Sequence, residues 1–277
     1  MPIALFFLLL ATLSAAERYR LVESPTIQGR FARVHVKNEE RAAELRKVFA
    51  EAGCGASNFS EKRVLSSTLP NLVCVLPGTS ERIIVVSAHM DQHGGGEGAI
   101  DNWSGAALLP SLFESLKDSP RRVTFHFIAF TDEERGLVGS REYVNRLSPQ
   151  ERNAILANVN IDSIGLAGRL RAEARKTDKF LLTCAAELAD RIKIYVGADT
   201  MDSGYDSDAT AFLNWKIPVI DFHAITRATI RLLHTKKDVR TAMDPKSYYE
   251  QYQFLAAYLA YLDEVIDLQS GARPAQR

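Results

Sequence analysis

The sequence predicts an α/β protein, folded as a three-layer α/β/α sandwich around a mixed, mostly parallel central sheet. Three apolar runs, at residues 82–88, 122–130 and 155–161, have the length and continuous hydrophobicity of buried strands. Segments with helical periodicity separate them, most clearly at residues 102–117. Strands that alternate with helices are typical of a sheet covered by helices on both faces.

The first third of the chain supplies one helix and two strands. Residues 17–36 are mixed in character and are expected to be irregular. Residues 38–52 have a helical pattern that stops at Gly53. The strand at 71–76 and the central strand at 82–88 are separated by a short turn, so we expect them to pair as a hairpin. That pairing makes the sheet mixed rather than purely parallel.

The rest of the chain continues the alternation of helices and strands. The loop at residues 92–98 contains four glycines and is expected to be irregular. Beyond the last of the three apolar runs, the predicted elements are a helix at 178–191, a strand at 217–222 and a helix at 246–268. There is no internal repeat and no linker, so we interpret residues 17–277 as a single domain.

Composition and charge narrow the classes of function. The chain has 277 residues, of which 46% are hydrophobic and 25% are charged, as in ordinary soluble globular proteins. Its 34 basic and 34 acidic residues balance, and no long run has one sign. Electrostatics therefore gives no argument for nucleic acid or an anionic membrane as a partner. Oligomeric state does not follow from these features.

The N-terminus predicts export. Residues 2–13 form an apolar run, small residues follow at 14–16, and a charged segment begins at Glu17. This layout is typical of a cleavable signal peptide, and the run is shorter than the ~20 apolar residues that span a bilayer. We predict a signal peptide at residues 1–16 and a secreted or periplasmic protein with no membrane span after cleavage. No Lys or Arg precedes the run, so an uncleaved anchor or a misassigned start is the alternative.

The three cysteines allow one disulfide. In an exported protein, two of them can pair and leave the third free. Cys54 and Cys74 flank neighbouring strand-like segments, so they are the favoured pair, but the sequence does not determine whether they bond. Cys184 is interpreted as a small buried apolar residue. None of the three has the spacing of a metal ligand.

Acids and a histidine follow each of the three apolar runs. His89 and Asp91 follow the first run, the pair Glu133 and Glu134 follows the second, and Asp162 follows the third. In open α/β sheets, sites form at the carboxyl ends of the strands. Core packing does not explain this coincidence, because unpaired buried carboxylates are costly. The pattern therefore predicts a functional site at that edge.

The residue types suit a pair of metal ions. Histidine and carboxylates without cysteine are ligands that zinc, manganese and similar metals accept. Two metals ~3.5–4 Å apart need a bridging carboxylate and terminal ligands on each side. We expect Asp101, at the start of a helix, to bridge. His89 and Asp162 would hold one metal, and Glu134 with a later histidine would hold the other. The neighbouring Glu133 suits the role of general base.

These residues lie in motifs that resemble the co-catalytic zinc aminopeptidases of metallopeptidase family twenty-eight, which also includes aminopeptidase Y and the glutaminyl cyclases. The matching segments are AHMD at 88–91, AIDNWSGAA at 99–107, FTDEERGLVGS at 130–140, NIDSIG at 160–165, YDSDATAF at 205–212 and LHTKKD at 233–238. They occur in the family's order over about residues 70–265. The resemblance implies a zinc exopeptidase fold, so residues 17–277 would form one zinc peptidase domain.

The resemblance also implies the metal ligands. Two zinc ions per chain are expected, with Asp101 shared between them: one zinc would be bound by His89, Asp101 and Asp162, and the other by Asp101, Glu134 and His234. In the family, the peptide bond after the bridging aspartate is often cis, so Asp101–Asn102 is expected to be cis.

Three catalytic residues are implied in the same way. Glu133 is expected to act as the general base, which takes a proton from the attacking water and later delivers it to the leaving amine. Asp91 is expected to orient His89, as metal-bound histidines usually require. Tyr205 lies near the position at which relatives place a phenol that stabilises the tetrahedral intermediate.

The function implied is an exported aminopeptidase that acts on peptides with a free N-terminus. One alternative is a glutaminyl-peptide cyclotransferase, which forms N-terminal pyroglutamate. In that branch a Trp typically precedes the last histidine and an insertion interrupts the acidic motif, whereas here Leu233 precedes His234 and DEERGLVGS is continuous. A second alternative is a catalytically inactive binding ectodomain on the same fold. Such relatives lose ligands, and this chain keeps the whole set.

Two departures from the family's pattern are visible. Ala209 stands where many relatives have a histidine. The segment between Asp91 and Asp101 is short and rich in glycine, which predicts an open rim on this side of the site. His93, within that segment, is interpreted as a loop residue rather than a ligand.

Overall fold

The computed structural model describes residues 18–200 and 206–270. The predicted signal peptide at 1–16 and the predicted catalytic Tyr205 lie outside the described residues. Within them, no helix combines the length and the apolar character that crossing a membrane requires.

A central sheet organises the described part of the chain. Its strands, in chain order, are β1 Phe59–Lys62, β2 Asn71–Leu76, β3 Ile83–His89, β4 Thr124–Phe130, β5 Ile155–Ile161, β6 Arg171–Glu173, β7 Gly197–Asp199 and β8 Val219–His223. They lie side by side in the order β1-β2-β4-β3-β5-β8-β6-β7. The neighbouring pairs β4–β3, β3–β5 and β5–β8 are parallel. The pairs β1–β2, β2–β4 and β8–β6 are antiparallel. The prediction of a mixed, mostly parallel sheet is confirmed.

The predicted hairpin between β2 and β3 is wrong, although the mixed character is right. Strand β4 lies between them, antiparallel to β2 and parallel to β3. Leu72 pairs with Ala129, and Ala88 pairs with the same residue from the other side. The short turn at Pro77-Gly78 suggested direct pairing. The continuous apolar run of β4 instead gives a strand that is buried on both faces and can occupy the centre.

Helices cover both faces of the sheet. Their bounds are α1 Ser24–Phe31, α2 Asn38–Glu51, α3 Ser104–Ala106, α4 Leu109–Leu116, α5 Val138–Arg146, α6 Pro149–Ala154, α7 Lys179–Ile192, α8 Ala209–Leu213 and α9 Pro245–Ser270. A π-helical turn, Ala99–Trp103, precedes α3. The expectation that residues 17–36 are irregular is wrong, because α1 begins with Pro25 in its first turn and packs Phe31 against Tyr248 of α9.

Successive residues of β3 show how the layers form. Val86 packs into the larger apolar core, together with Phe49 of α2 and Leu112 of α4. Val85 points to the opposite face and joins a second core that includes Phe212 of α8. Because side chains of a strand alternate between faces, a strand covered on both sides must be apolar at nearly every position. This explains the continuous apolar runs and confirms the three-layer α/β/α sandwich.

The favoured cysteine pair, Cys54 and Cys74, is joined by a disulfide. It links the segment after α2 to β2. Cys184 is free and buried in α7, as predicted.

A polar ladder crosses the middle of the sheet. The Ser87 hydroxyl donates to Asn160 Oδ1 at 2.9 Å, and Asn160 Nδ2 donates to Asp221 Oδ1 at 2.8 Å. The second oxygen of Asp221 accepts from the Ser207 hydroxyl at 2.6 Å. Burial raises the pKa of Asp221 to about 6, and the charge of Asp162 adds to the shift. These bonds join β3, β5 and β8 near the edge where the acids collect.

Replacing Asp221 with Asn should stabilise the fold increasingly as pH rises. When folding raises the pKa of a carboxyl, the folded state becomes less stable as pH rises. The loss occurs between the unfolded pKa, near 3.8, and the folded pKa of about 6. A shift of about two units corresponds to roughly 3 kcal/mol. The free energy of unfolding of Asp221→Asn, relative to the wild type, should therefore rise by about that amount between pH 3.5 and pH 7.5. Urea denaturation of chelator-treated protein at the two pH values measures it, and a difference independent of pH would contradict it.

Candidate metal centre and active site

The predicted acids and His89 meet at the carboxyl edge of three adjacent parallel strands. His89 is the last residue of β3, Glu133 and Glu134 follow β4, and Asp162 directly follows β5. Strands β4, β3 and β5 are neighbours in that order, so their carboxyl ends open onto one place. Asp101 reaches the same place from the π-helical turn that follows the glycine-rich loop.

The first group of candidate ligands consists of His89, Asp101 and Asp162. The Nε2 atom of His89 lies 3.1 Å from Asp101 Oδ1 and 3.7 Å from Asp162 Oδ1. All three residues are buried. One ligand atom from each lies within 4.8 Å of the others, which is the spacing a shared metal ion requires.

The second group consists of Asp101, Glu134 and His234. The Nε2 atom of His234 lies 3.0 Å from Asp101 Oδ2 and 3.1 Å from Glu134 Oε2. Asp101 therefore directs one oxygen to each group, which is the arrangement of a bridging carboxylate. The structure brings together all five residues expected to bind metal, and their role as ligands stays a prediction.

Asp91 connects His89 to the pair of glutamates. Its Oδ1 lies 3.6 Å from His89 Nδ1 and accepts the Glu133 backbone N–H at 3.1 Å. Its Oδ2 accepts the Glu134 backbone N–H at 3.2 Å. His89 Nδ1 also lies 3.2 Å from the main-chain carbonyl of Asp91. This placement fits the predicted orienting role and adds a second one, because the same carboxylate holds the backbone of Glu133 and Glu134.

The charges of the site are strongly coupled. Burial lowers the pKa of His89, but Glu133 and the hydrogen-bonding carboxylates more than offset this and raise it well above its usual value. Hydrogen bonds to Asp101 and Glu134 raise the pKa of His234 to about 10. Burial also favours a protonated Asp101, yet the two imidazole rings lower its pKa. The converging carboxylates therefore create a strongly negative environment that attracts positive charge, whether a proton or a metal ion.

The donor set fits zinc. Within the described residues, Glu134 Oε1 is buried and has no hydrogen-bond partner. Burial raises the pKa of Glu133 to about 10, with partial compensation from His89. A bound cation would satisfy the free oxygen and lower the pKa of the neighbouring acid. Imidazole and carboxylate ligands without sulfur are a common zinc-binding set.

The sequence model of Peptidase family M28 matches residues 71–259, which is more than half of the 277-residue chain. The chain belongs to Peptidase family M28. The match includes all the residues of both candidate groups, so the family assignment and the geometry agree on the same part of the chain.

The chain is also similar to three proteins of known name. Aminopeptidase YwaD of Bacillus subtilis is 37% identical over 91 residues, which are 33% of this chain but only 20% of YwaD. The zinc aminopeptidase BSAP of Bacillus subtilis has a TM-score of 0.62 at 24% identity, covering 69% of this chain and 49% of its own. A glutaminyl cyclase from an Acidobacteriales bacterium has a TM-score of 0.73 at 18% identity, covering 89% and 94%. These structural likenesses establish the M28 fold and not the reaction.

Two buried residues that support this M28 site were not predicted from the sequence. The Asp238 carboxylate accepts the backbone N–H groups of Ile100 at 2.6 Å and Asp101 at 3.1 Å. Arg41 is fully buried in α2, where it donates to the Gly98 carbonyl at 3.1 Å. Asp238 is the last residue of the LHTKKD motif, and this position in a matching motif was the sequence signal that could have identified it. Arg41 lies in a charged helical pattern that resembles a solvated face, so the sequence held no signal for it.

Asp208 is a third residue that sequence reasoning missed. The residue is 1% exposed, and the Ser140 side chain is a hydrogen-bonding neighbour of its carboxylate. Burial raises its pKa to about 7, against the effect of His89. It lies in the YDSDATAF motif, next to the departure at Ala209.

The Asp101–Asn102 peptide bond is cis, as expected. The Asn102 side chain then ties the turn to the end of β5. Its Nδ2 donates to the Ile161 carbonyl at 2.9 Å, and its Oδ1 accepts the Ser163 N–H at 3.1 Å. This side chain therefore helps to hold together Asp101 and Asp162, which are 61 positions apart in the sequence.

The glycine-rich loop at 92–98 packs against the segment that carries His234, so this side of the site is closed by contact rather than open. A Cβ atom at Gly95 would lie 2.3 Å from the His234 carbonyl oxygen. A Cβ atom at Gly96 would lie 2.5 Å from the Thr235 carbonyl oxygen. Both positions therefore require glycine because the main chains touch.

Replacing Gly95 with Ala should displace His234, because the added methyl group meets main-chain atoms that cannot rotate away. We expect the free energy of unfolding to fall by about 1–3 kcal/mol, the usual cost of overpacking. Gly55→Ala is the matched control, since nothing lies within 4 Å of a Cβ atom there. Urea denaturation of both variants measures the effect, and equal stability of the two would show that the contact does not constrain His234.

Proposed function

We propose that this chain is an exported, zinc-dependent aminopeptidase that removes N-terminal residues from peptides with a free N-terminus. The observation that carries the proposal is the pair of ligand groups joined by the two oxygens of Asp101. Membership of Peptidase family M28 and the similarity to YwaD support the same reaction.

Each residue of the site then has a defined task. His89, Asp101 and Asp162 would hold one zinc ion, and Asp101, Glu134 and His234 would hold the second. When bound, two zinc ions supply Lewis-acid activation of the scissile carbonyl and a water of lowered pKa. Asp91 keeps the His89 ring oriented, and Asp101 keeps the two groups at a fixed separation.

We assign proton transfer to Glu133. Glu133, His89 and Glu134 form a third group, in which one atom from each residue lies within 4.8 Å of the other two. The hydrogen bond from the Glu133 backbone to Asp91 fixes the start of its side chain. Unlike Glu134, it is in neither of the groups that include Asp101. Glu133 therefore takes a proton from the attacking water and returns it to the leaving amine, while Glu134 serves as a ligand.

Glu133→Gln should lower the turnover rate strongly and leave the zinc content unchanged. The amide keeps the size of the side chain but cannot accept the proton, so we expect kcat to fall by about 10²- to 10⁴-fold. Elemental analysis should give the same zinc content as the wild type. Aminoacyl chromogenic substrates measure the rate, and the exposed Glu81→Gln is the control. Near-wild-type turnover in Glu133→Gln would remove Glu133 from the mechanism.

The cyclotransferase alternative calls for a direct comparison of substrates. The glutaminyl cyclase structure shares the fold, but the continuous DEERGLVGS motif and Leu233 before His234 favour hydrolysis. We expect the zinc-loaded protein to release N-terminal residues from peptides and to form no pyroglutamate from Gln-peptides. Parallel assays by mass spectrometry distinguish the two, because cyclisation loses ammonia and keeps the chain length. Pyroglutamate as the main product would reverse the assignment.

An inactive binding ectodomain is the remaining alternative. It is disfavoured because both ligand groups are complete. Purified protein that holds no zinc, and gains no activity when zinc is added, would favour it instead.

Export is supported by the disulfide. Cys54 and Cys74 are bonded, and disulfides persist in oxidising compartments rather than in the cytosol. With the apolar run at residues 2–13, this favours a secreted or periplasmic enzyme. N-terminal sequencing of the exported protein should begin at Glu17, and a protein that retains residues 1–16 would contradict signal cleavage.

A further inference from the structure

His234, like Asp101, is a candidate ligand that the sheet does not place. It follows a short 3-10 helix, Ile230–Leu232, and its φ of 59° lies in the left-handed region. Its side chain is 47% exposed, whereas that of His89 is 2% exposed. A strand fixes the direction of His89, but no regular element does so for His234. Contacts from a neighbouring loop must therefore restrict its ring.

His93 of the glycine-rich loop supplies such a contact. Its ring lies on the His234 ring with a centroid separation of 4.2 Å and an angle of 6° between the planes. Two aromatic rings in this arrangement gain from their overlap and resist tilting.

The loop that carries His93 is itself attached to the segment after His234. The Glu97 N–H donates to the Asp238 carbonyl at 2.7 Å, and the Glu97 carboxylate accepts the Arg240 N–H at 2.7 Å. These bonds and the close approach at Gly95 join the two segments along their main chains. The loop that carries His93 is therefore held against the same segment that its ring contacts.

We propose that His93 is a positioning residue for His234: its flat ring holds the imidazole so that Nε2 faces the two neighbouring carboxylates. The inference rests on the proposed zinc-dependent function. Within the described residues, His93 is in none of the groups whose ligand atoms converge, so it orients a ligand and does not bind metal itself. Loss of the ring weakens the zinc site of Asp101, Glu134 and His234 and spares the site of Asp162.

Two substitutions separate the ring from its nitrogen atoms. His93→Leu removes the flat ring and keeps a side chain of similar size. His93→Phe keeps a flat ring but has no nitrogen. Gln92→Ala is the control within the same loop. It removes the side-chain bonds to the Val36 carbonyl and the Gly94 N–H but keeps the His93 ring.

The first measurement uses metal-free protein and needs no activity. The ring protons of His234 are observed by NMR in histidine-labelled, chelator-treated protein and are assigned by their absence in His234→Asn. We expect the ring current of His93 to shift these signals in the wild type. The shift should disappear in His93→Leu and remain in His93→Phe. Signals that do not respond to His93→Leu would overturn the inference whatever the function is.

The second measurement is zinc binding by calorimetry. We expect one of the two zinc dissociation constants to rise by about 3- to 10-fold in His93→Leu, which is the effect of losing one aromatic contact. The other zinc should bind as in the wild type. His93→Phe and Gln92→Ala should keep both affinities.

Other outcomes have distinct meanings. An equal loss in His93→Phe would show that a nitrogen atom is required, which would make His93 a ligand and overturn positioning. An equal loss in Gln92→Ala would show that loop order, and not the ring, is what matters. Wild-type protein that binds fewer than two zinc ions would overturn the proposed two-zinc function and this inference together. Two zinc ions with no effect of His93→Leu would overturn only the inference.

Discussion

The carboxylate of Asp101 is the group on which the rest of the site depends. One oxygen lies 3.1 Å from His89 and the other 3.0 Å from His234, so a single side chain sets the relation of the two ligand groups. Asp238 fixes its position by accepting the Asp101 N–H, and the next residue, Asn102, ties it to the end of β5. Any shift of Asp101 would therefore disturb both groups at once, which explains why buried polar contacts surround it.

The concentration of buried acids requires compensation. Arg41 reaches the site from α2 with its guanidinium fully buried, and it packs against Trp103 at 5.4 Å. Burial lowers the pKa of Arg41 to about 10, while Asp91 and Asp101 oppose the shift. This buried cation does not compensate every acid, since burial still raises the pKa of Asp208 to about 7. Such an excess of carboxylates is what a site for divalent cations needs.

Much of the fold was predictable because its signals are local. Continuous apolar runs identified β3, β4 and β5, and the sandwich followed from their alternation with helices. The order of the strands was not predictable in the same way. Pairing of β2 with β4 instead of β3 depends on which neighbour buries more apolar surface, and that depends on the whole sheet. Helix α1 was missed because its apolar face is recognisable only against α9.

The sequence by itself determined which residue types stand at the ends of the strands. A strand's end is set by its own apolar run, and parallel neighbours bring their ends to one edge, so the meeting of His89, Glu134 and Asp162 followed from local pattern. Only the tertiary structure decided how Asp101 and His234 are held. Asp238 lies 138 residues from Ile100, and the stack of His93 on His234 joins equally distant segments. Loops at such separations have no periodicity to reveal their partners, because their positions depend on the assembled sheet.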